Sequence, residues 1–117
     1  MLLVFSDPHC GPCDELAPYL ARVHDEHRHN GLDLLMVGRG DPEENRRKTE
    51  ELGLGFPVAL QRKWEISRRY GIFGTPVGFL IDENGVITSN VAKGIEPIMA
   101  LASKAGPGKD VSDVQAV

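Results

Sequence analysis

The sequence predicts one layered α/β domain, in which a mixed β-sheet carries helices on both of its faces. Short β-prone apolar runs alternate with segments whose apolar residues recur at three- and four-residue spacing, which is typical of amphipathic helices. Parallel strands joined by such helices need right-handed crossovers. Later in the chain, an Asn-Gly turn at Asn84 and Gly85 separates two apolar runs and predicts an antiparallel hairpin, so the sheet contains both strand directions.

The first half of the sequence predicts two strand–helix units. Pro8 ends the first apolar run, and Asp41 offers an N-cap acceptor just before Pro42 at the first helical position. In order, the predicted elements are a strand over 1–6, a helix from Gly11 to about His29, a strand over 32–37 closed by a turn at 38–40, and a helix that stops at Gly53.

The second half predicts shorter elements. Pro57 argues against a central strand at 56–60, so this segment is an edge strand or an extended connector. After it we expect a surface helix from Lys63 to Tyr70, strands over 77–81 and 86–91, and a last helix with an apolar stripe over 95–102. We place the domain at 1–105 and expect 106–117 to be a mobile C-terminal tail.

The composition excludes several classes of function. There are 13 Lys and Arg against 17 Asp and Glu, and they form no basic cluster, so we expect no nucleic-acid partner. The apolar runs at 1–5 and 77–81 are far shorter than the ~20 residues that a membrane-spanning helix needs. Met1 leads directly into the first strand without a visible secretory signal, which predicts a cytosolic chain or a fragment.

Both cysteines lie in the motif Cys10-Gly11-Pro12-Cys13. A cross-link that closes so short a loop adds little stability compared with the ~3 kcal/mol of a 15-residue loop, which argues against a structural role. At the start of a helix, Cys10 is close to unpaired N–H groups that favour its thiolate, and Cys13 can reach back within one turn to resolve a mixed disulfide. Pro12 stiffens the loop and Gly11 leaves room for a partner backbone. The motif therefore indicates redox chemistry.

Two other interpretations of the cysteines stay open. They could be an incidental buried pair, or half of a zinc site, although structural zinc normally takes four Cys or His ligands. His9, next to Cys10, could complete such a site together with His24, His27 and His29. His24 and His27 fall one to two turns along the predicted helix, however, so we expect no metal site. The alternative function is a metal-binding or metallochaperone domain that uses both sulfurs and His9 for copper or zinc.

The cysteine motif after a strand and at the start of a helix resembles the active site of thioredoxin, and Gly74-Thr75-Pro76 before an apolar strand resembles the cis-proline loop of that fold. The run from Tyr70 to Gly85 and the strand–helix segment over 32–53 are similar to TlpA-like and AhpC/TSA-related thiol-disulfide reductases. This group includes the MauD-type methylamine-dehydrogenase accessory proteins. The resemblance covers about residues 1–105.

The resemblance implies a thioredoxin-like fold, with an extra strand–helix segment after the first CxxC helix, and a role for each motif residue. Cys10 would attack the substrate disulfide and Cys13 would resolve the mixed disulfide. Pro76, as a cis-proline, would lie against the cysteines while the backbone of Thr75 pairs with the substrate chain. The Gly-Pro dipeptide resembles that of reducing thioredoxins. The implied partners are a client protein or small-molecule disulfide and an upstream thiol reductant, with the cysteine pair as the redox centre and no added cofactor.

Three positions depart from the family pattern. His9 stands where many members have Trp before the first cysteine. The buried acid of thioredoxin, six residues before that cysteine, is Val4 here, and the acid that often follows the second cysteine by three residues in TlpA-like reductases is Leu16. The sequence therefore assigns no proton acceptor to Cys13.

Several charged residues near the motif are candidate modulators of the cysteines. Asp7, His9 and Glu15 are the candidates, and Asp14 is adjacent to Cys13. Each is also explained as a solvated loop or first-turn residue that suits a helix N-terminus, which is the interpretation we favour for Asp14 and Glu15. His9 either promotes the Cys10 thiolate when charged or fills the space of the missing tryptophan.

The remaining expectations concern location, assembly and a second enzyme class. Family members usually have a strand, and often an anchor or signal, before this first strand, so we expect an N-terminal extension and an extracytoplasmic location, with the cytoplasm as the alternative. A peroxidase would need a Thr/Ser-x-x-Cys loop, and the stretch from Ser6 to Cys10 lacks that spacing. An aromatic content of 6% predicts a monomer.

Overall fold

The computed structural model describes residues 1–27 and 33–104. The predicted tail at 106–117 and the end of the first helix near His29 lie outside these residues. The elements are β1 (Leu2–Ser6), α1 (Gly11–His27), β2 (Leu34–Arg39), α2 (Pro42–Glu51), β3 (Val58–Gln61), α3 (Glu65–Arg69), β4 (Val77–Leu80), β5 (Ala92–Lys93) and α4 (Ile95–Lys104).

The five strands form one mixed sheet in the order β3-β2-β1-β4-β5. β1 pairs in parallel with β2, and β2 with β3, whereas β4 runs antiparallel to both β1 and β5. The predicted mixed sheet is confirmed. The segment after Pro57 is the edge strand β3, and the carbonyl of Pro57 accepts the N–H of Met36 at 3.1 Å.

Two apolar clusters, one on each face of the sheet, form the core. Alternate residues of β1 point to opposite faces, so Leu2 and Val4 join one cluster while Leu3 and Phe5 join the other. The first cluster packs against α1 and α4, through residues that include Leu16, Leu20 and Ile98. The second is covered on the side of α3, where Ile66 contacts it. Helices thus lie on both faces, as predicted.

The predicted strand at 86–91 is wrong in its position. Pairing there is reduced to one bridge between Ile81 and Ile87, and the strand next to β4 is β5 at 92–93. Backbone hydrogen bonds still run from the N–H of Asp82 to the carbonyl of Val86 and from the N–H of Thr88 to the carbonyl of Leu80, both at 2.9 Å. Side chains add to them, because Asp82 Oδ1 accepts the N–H of Val86 at 2.9 Å and Ser89 Oγ accepts the N–H of Leu80 at 2.9 Å. The direction of the chain is antiparallel, as predicted, but its ladder is interrupted.

The second strand also differs from its prediction, because Gly38 and Arg39 belong to β2 rather than to a turn. Gly38 permits a close approach, since a Cβ atom on it would lie 2.9 Å from Cγ of the buried Asn45. The turn itself lies at Gly40, with φ of 98°. Asp41 is the N-cap of α2 as predicted, and its carboxylate accepts the N–H of Glu44 at 3.0 Å.

The third helix is shorter than predicted and spans Glu65–Arg69. Trp64 is its N-cap residue and offers no side-chain hydrogen bond to the first turn. Gly71, with φ of 71°, follows the helix as predicted. In the described part of the chain, no helix combines the length and the apolar character that a membrane span requires.

Candidate active site

The end of β1 and the start of α1 position the two cysteines. Cys10 directly precedes α1, and Cys13 lies in its first turn. Their sulfurs form a disulfide with a Cα–Cα distance of 5.2 Å, and the N–H of Cys13 points to Cys10 Sγ at 3.2 Å. The carbonyl of Cys10 accepts the N–H of Asp14 at 3.1 Å, so the helix begins at the cysteine loop itself.

The two sulfur-bearing residues differ in their exposure. Cys13, in the first turn of α1, is 3% exposed, whereas Cys10 is half-buried at the surface of the site. Gly11 and Pro12 between them are exposed. A partner molecule therefore reaches Cys10 first, and Cys13 is shielded by its own helix.

The loop before β4 faces Cys10 from the other side of the site. The peptide bond between Thr75 and Pro76 is cis, and the carbonyl oxygen of Thr75 lies 3.6 Å from Cys10 Sγ. The carbonyl of Pro76 accepts the N–H of Gly94 at 3.0 Å, which ties the loop to the end of β5. Cys10, Thr75 and Pro76, predicted from separate motifs, thus meet at one place.

A groove of about 650 Å³ opens beside this meeting point. It runs from Pro12 along residues 70–77 to Lys93, and its walls are mainly apolar. Phe73 stands at the groove with 62% of its surface exposed and packs edge-on against Trp64, with ring centroids 6.0 Å apart. Sequence reasoning missed Phe73 and Lys93. The only available signal for Phe73 was an aromatic residue directly before the cis-proline motif, where a buried position is the ordinary expectation.

Asp7 anchors the loop that leads from β1 to the cysteines. Its Oδ2 accepts a hydrogen bond from Nη1 of Arg39 at 3.0 Å, and its Oδ1 accepts the N–H of His9 at 2.8 Å. The guanidinium of Arg39 in turn stacks over Trp64, 4.1 Å from the ring centroid. Asp7 is only 15% exposed in its side chain, so it lies in a structural contact rather than in a solvated loop.

His9 and Glu15 occupy the outer surface. The His9 side chain is 73% exposed, and its Nε2 lies 2.6 Å from Oε2 of Glu44 on α2. It therefore contacts the neighbouring helix at the surface of the protein. Glu15 is exposed on the first turn of α1.

Asp14 connects the first turn of α1 to α2. Nζ of Lys48 donates to Asp14 Oδ2 at 2.8 Å. This hydrogen bond raises the pKa of Lys48 above its ordinary value. Val4 and Leu16, the positions at which the resemblance would place an acid, are fully buried in the core.

The histidines and cysteines of the described residues do not converge on a metal site. Within 1–27 and 33–104, no three side chains of His, Cys, Asp or Glu lie close enough to hold an ion. His24 packs edge-on against Phe56, with ring centroids 5.9 Å apart, and His29 lies outside the described residues. The metal-binding alternative is therefore not favoured.

A strand, a CxxC disulfide at the start of the next helix and a cis-proline loop that faces it define a thioredoxin-fold protein with a redox-type cysteine pair. Comparison with known proteins agrees with this class. The model of the AhpC/TSA family matches residues 1–90, and the chain belongs to that family. The predicted relationship is confirmed.

Two curated relatives are thiol-disulfide oxidoreductases. ResA of Geobacillus thermodenitrificans is 34% identical over 89 residues, which cover 72% of this chain and 51% of that protein. Sporulation thiol-disulfide oxidoreductase A of Bacillus subtilis is 30% identical over 90 residues, which cover 74% of this chain and 54% of the relative. The chain thus spans about half the length of the curated relatives it matches.

A solved structure extends the likeness to the fold. The protein described as thiol:disulfide interchange protein DsbE from Chlorobium tepidum superposes with a TM-score of 0.79 at 26% identity, covering 88% of this chain and 74% of that one. The thioredoxin-like fold that the motifs predicted is therefore confirmed.

Proposed function

We propose that this domain catalyses thiol-disulfide exchange and that it reduces the disulfides of client proteins. The observation that carries the proposal is the unequal burial of a cysteine pair that forms a disulfide: Cys10 is half-buried next to Thr75, which lines an open groove, whereas Cys13 is shielded. The names of the two curated relatives support the same reaction.

The reaction begins with the reduced pair. The Cys10 thiolate attacks one sulfur of the client disulfide, and the other client sulfur leaves as a thiolate and takes up a proton. Cys13 then loses its proton and attacks Cys10 Sγ, which breaks the mixed disulfide and releases the second client thiolate. The client gains two electrons, and Cys10 and Cys13 end as the disulfide.

Several features of the site support this role of Cys10. The N-terminus of α1 favours a thiolate at the position directly before the helix. The backbone of Thr75, whose carbonyl lies 3.6 Å from Cys10 Sγ, is placed to pair with an extended client segment, and Pro76 and Pro12 border the same groove. His9 and Gly11 complete the loop that presents the sulfur.

The partners follow from the chemistry. A pair that ends each cycle oxidised needs an upstream thiol reductant to restore it, and the two sulfurs carry both electrons without an added cofactor. We propose a monomer that works outside the cytoplasm, on the resemblance to TlpA-like reductases.

Reduction of insulin disulfides by the dithiothreitol-reduced protein tests the proposal. We expect turnover with the natural sequence and none above background with Cys10→Ser. Turnover that survives Cys10→Ser would contradict the assignment. The equilibrium reduction potential sets the direction, because a value near the reducing end of the ~−270 to −120 mV range identifies a reductase, and a value near the other end identifies an oxidant of client thiols.

A further inference from the structure

Cys13 needs a route by which its proton can leave. At 3% exposure it has almost no contact with solvent, and burial disfavours the charged form of a thiol. Only the thiolate attacks a disulfide, so resolution of the mixed disulfide depends on a proton acceptor near this sulfur. The side chains of Val4 and Leu16 on the core side of the site are apolar and accept none.

A small cavity of about 20 Å³ adjoins Cys13 between β1, α1 and α2. One water molecule needs ~10–15 Å³ and two to four polar partners. The polar residues that line the cavity include Ser6, Asn45, Lys48 and Thr49, together with the carboxylates of Asp7 and Asp14. The cavity therefore has both the size and the lining that a bridging water requires.

The two carboxylates differ in their freedom to accept a proton. Both oxygens of Asp7 receive hydrogen bonds, one from Arg39 and one from the N–H of His9. Lys48 engages only Oδ2 of Asp14. The Asp14 side chain is also 39% exposed, so a proton that arrives from the cavity can pass on to solvent.

We infer that Asp14 accepts the proton of Cys13 through this cavity and that Lys48, on α2, is a positioning residue for the Asp14 carboxylate. The inference rests on the proposed function. In this step the Cys13 S–H bond breaks and its proton moves through a bridging water to Asp14. The electron pair left on the Cys13 sulfur attacks Cys10 Sγ, the bond between Cys10 Sγ and the client sulfur breaks, and the client sulfur leaves as a thiolate. The titratable and charged groups that face Cys13 are Asp14 on its own helix, Lys48 on α2, and the Asp7 carboxylate that is paired with Arg39 of β2.

The matched control is Glu15. It is the next residue on α1, it carries the same charge, and it is exposed away from the cavity. Asp14→Asn and Glu15→Gln therefore remove the same charge near the cysteines, but only the first removes a carboxylate that lines the cavity.

Stopped-flow reaction of the reduced protein with a limiting amount of dithiobis(nitrobenzoate) separates the two steps. The first coloured thiolate is released when Cys10 attacks, and the second when Cys13 resolves the mixed disulfide. A positioned base contributes ~10²–10⁴-fold to a proton transfer, so we expect Asp14→Asn to slow the second phase by about tenfold or more at neutral pH and to leave the first phase unchanged. Glu15→Gln should change neither phase, and Asp14→Glu should recover most of the rate.

The pH profile supplies a second readout. Without the carboxylate, hydroxide must remove the proton, so the second phase of Asp14→Asn should rise about tenfold for each unit of pH and approach the natural rate in alkaline solution. An unchanged second phase, or equal slowing by Asp14→Asn and Glu15→Gln, would overturn the inference. Absence of a second phase in the natural protein would instead overturn the proposed function, which keeps the two failures distinct.

Discussion

Cys10 Sγ lies 3.6 Å from the carbonyl oxygen of Thr75, although the two residues are 65 positions apart in the sequence. The sheet explains this contact. β1 ends just before the cysteine loop, β4 begins just after Pro76, and the two strands are antiparallel neighbours with Phe5 opposite Val77. The end of one strand and the start of the other therefore meet at the same edge of the sheet, and the cysteine motif meets the cis-proline loop there.

The difference in burial between the cysteines predicts which of them forms the mixed disulfide with a client. Cys13→Ser should accumulate a mixed disulfide on Cys10, because the accessible sulfur reacts and the resolving thiol is missing. Non-reducing electrophoresis followed by mass spectrometry of a reaction with insulin measures the adduct and its site.

Cys10→Ser is the matched control for that trap. It leaves only the shielded Cys13, so we expect it to yield at most a small fraction of the adduct. Equal amounts of adduct on the two single-cysteine variants would contradict the assigned roles.

Much of this site could be predicted from the sequence because its parts are local motifs. The spacing of Cys10 and Cys13, the helix that follows, and the dipeptide Thr75-Pro76 each have a short-range signature. The contacts that support the site could not be predicted in the same way. The stacking of Arg39 on Trp64 depends on a strand and a helix start that only the folded sheet brings together.

Two of the errors in the fold concern segments where side-chain contacts affect the local structure. Gly38 looked like part of a turn, but it lies in β2, where the absent side chain admits Asn45. The segment after Gly85 has strand composition and keeps backbone hydrogen bonds to Leu80 and Asp82, yet the side chains of Asp82 and Ser89 accept the N–H groups of Val86 and Leu80, and no continuous ladder forms. Strand propensities and the spacing of apolar residues carry no signal of these side-chain contacts.

The exposed ring of Phe73 predicts that the groove recognises client proteins. An apolar side chain that is 62% exposed at the groove becomes buried only when a client segment covers it. Phe73→Ala should raise the KM for insulin by roughly tenfold, which corresponds to ~1.4 kcal/mol. Reaction with dithiobis(nitrobenzoate), which is too small to cover the groove, should be unchanged.

Val86→Ala is the control for Phe73→Ala, because Val86 is also an exposed apolar residue and lies outside the groove. We expect it to leave the KM for insulin unchanged. A similar rise of KM in both variants would mean that the groove is not the client surface.

The double role of Asp7 predicts graded losses of stability. Asp7→Asn keeps an oxygen for the N–H of His9 but loses the charge that pairs with Arg39, which should lower the free energy of unfolding by ~1 kcal/mol. Asp7→Ala loses both contacts and should cost ~2 kcal/mol. Urea denaturation of the two variants measures the difference, and equal losses would contradict separate contributions from the two oxygens.

The ion pair between Glu43 and Arg46 provides a contrast on the exposed face of α2. The hydrogen bond from Arg46 lowers the pKa of Glu43, so any stabilisation is present above the ordinary pKa of 4.5 and is lost as the pH falls through the lowered value. Both side chains are exposed, and solvent screens such pairs. Glu43→Gln should therefore leave the urea midpoint unchanged at pH 7, and a clear loss there would show that the pair matters more than its exposure indicates.

The surroundings of Gly38 and Gly11 predict that alanine substitutions at these two positions change the free energy of unfolding differently. An alanine Cβ at position 38 would lie 2.9 Å from Cγ of Asn45, whose amide donates to the carbonyls of Arg39 and Asp41 and so holds the start of α2 against β2. Gly38→Ala should lower the free energy of unfolding by ~1–3 kcal/mol, because the buried amide must shift and its hydrogen bonds weaken. Gly11→Ala should be neutral or stabilising by up to ~1 kcal/mol, since a Cβ there meets no described atom within 4 Å. Equal urea midpoints for the two variants would show that β2 and α2 can separate without cost.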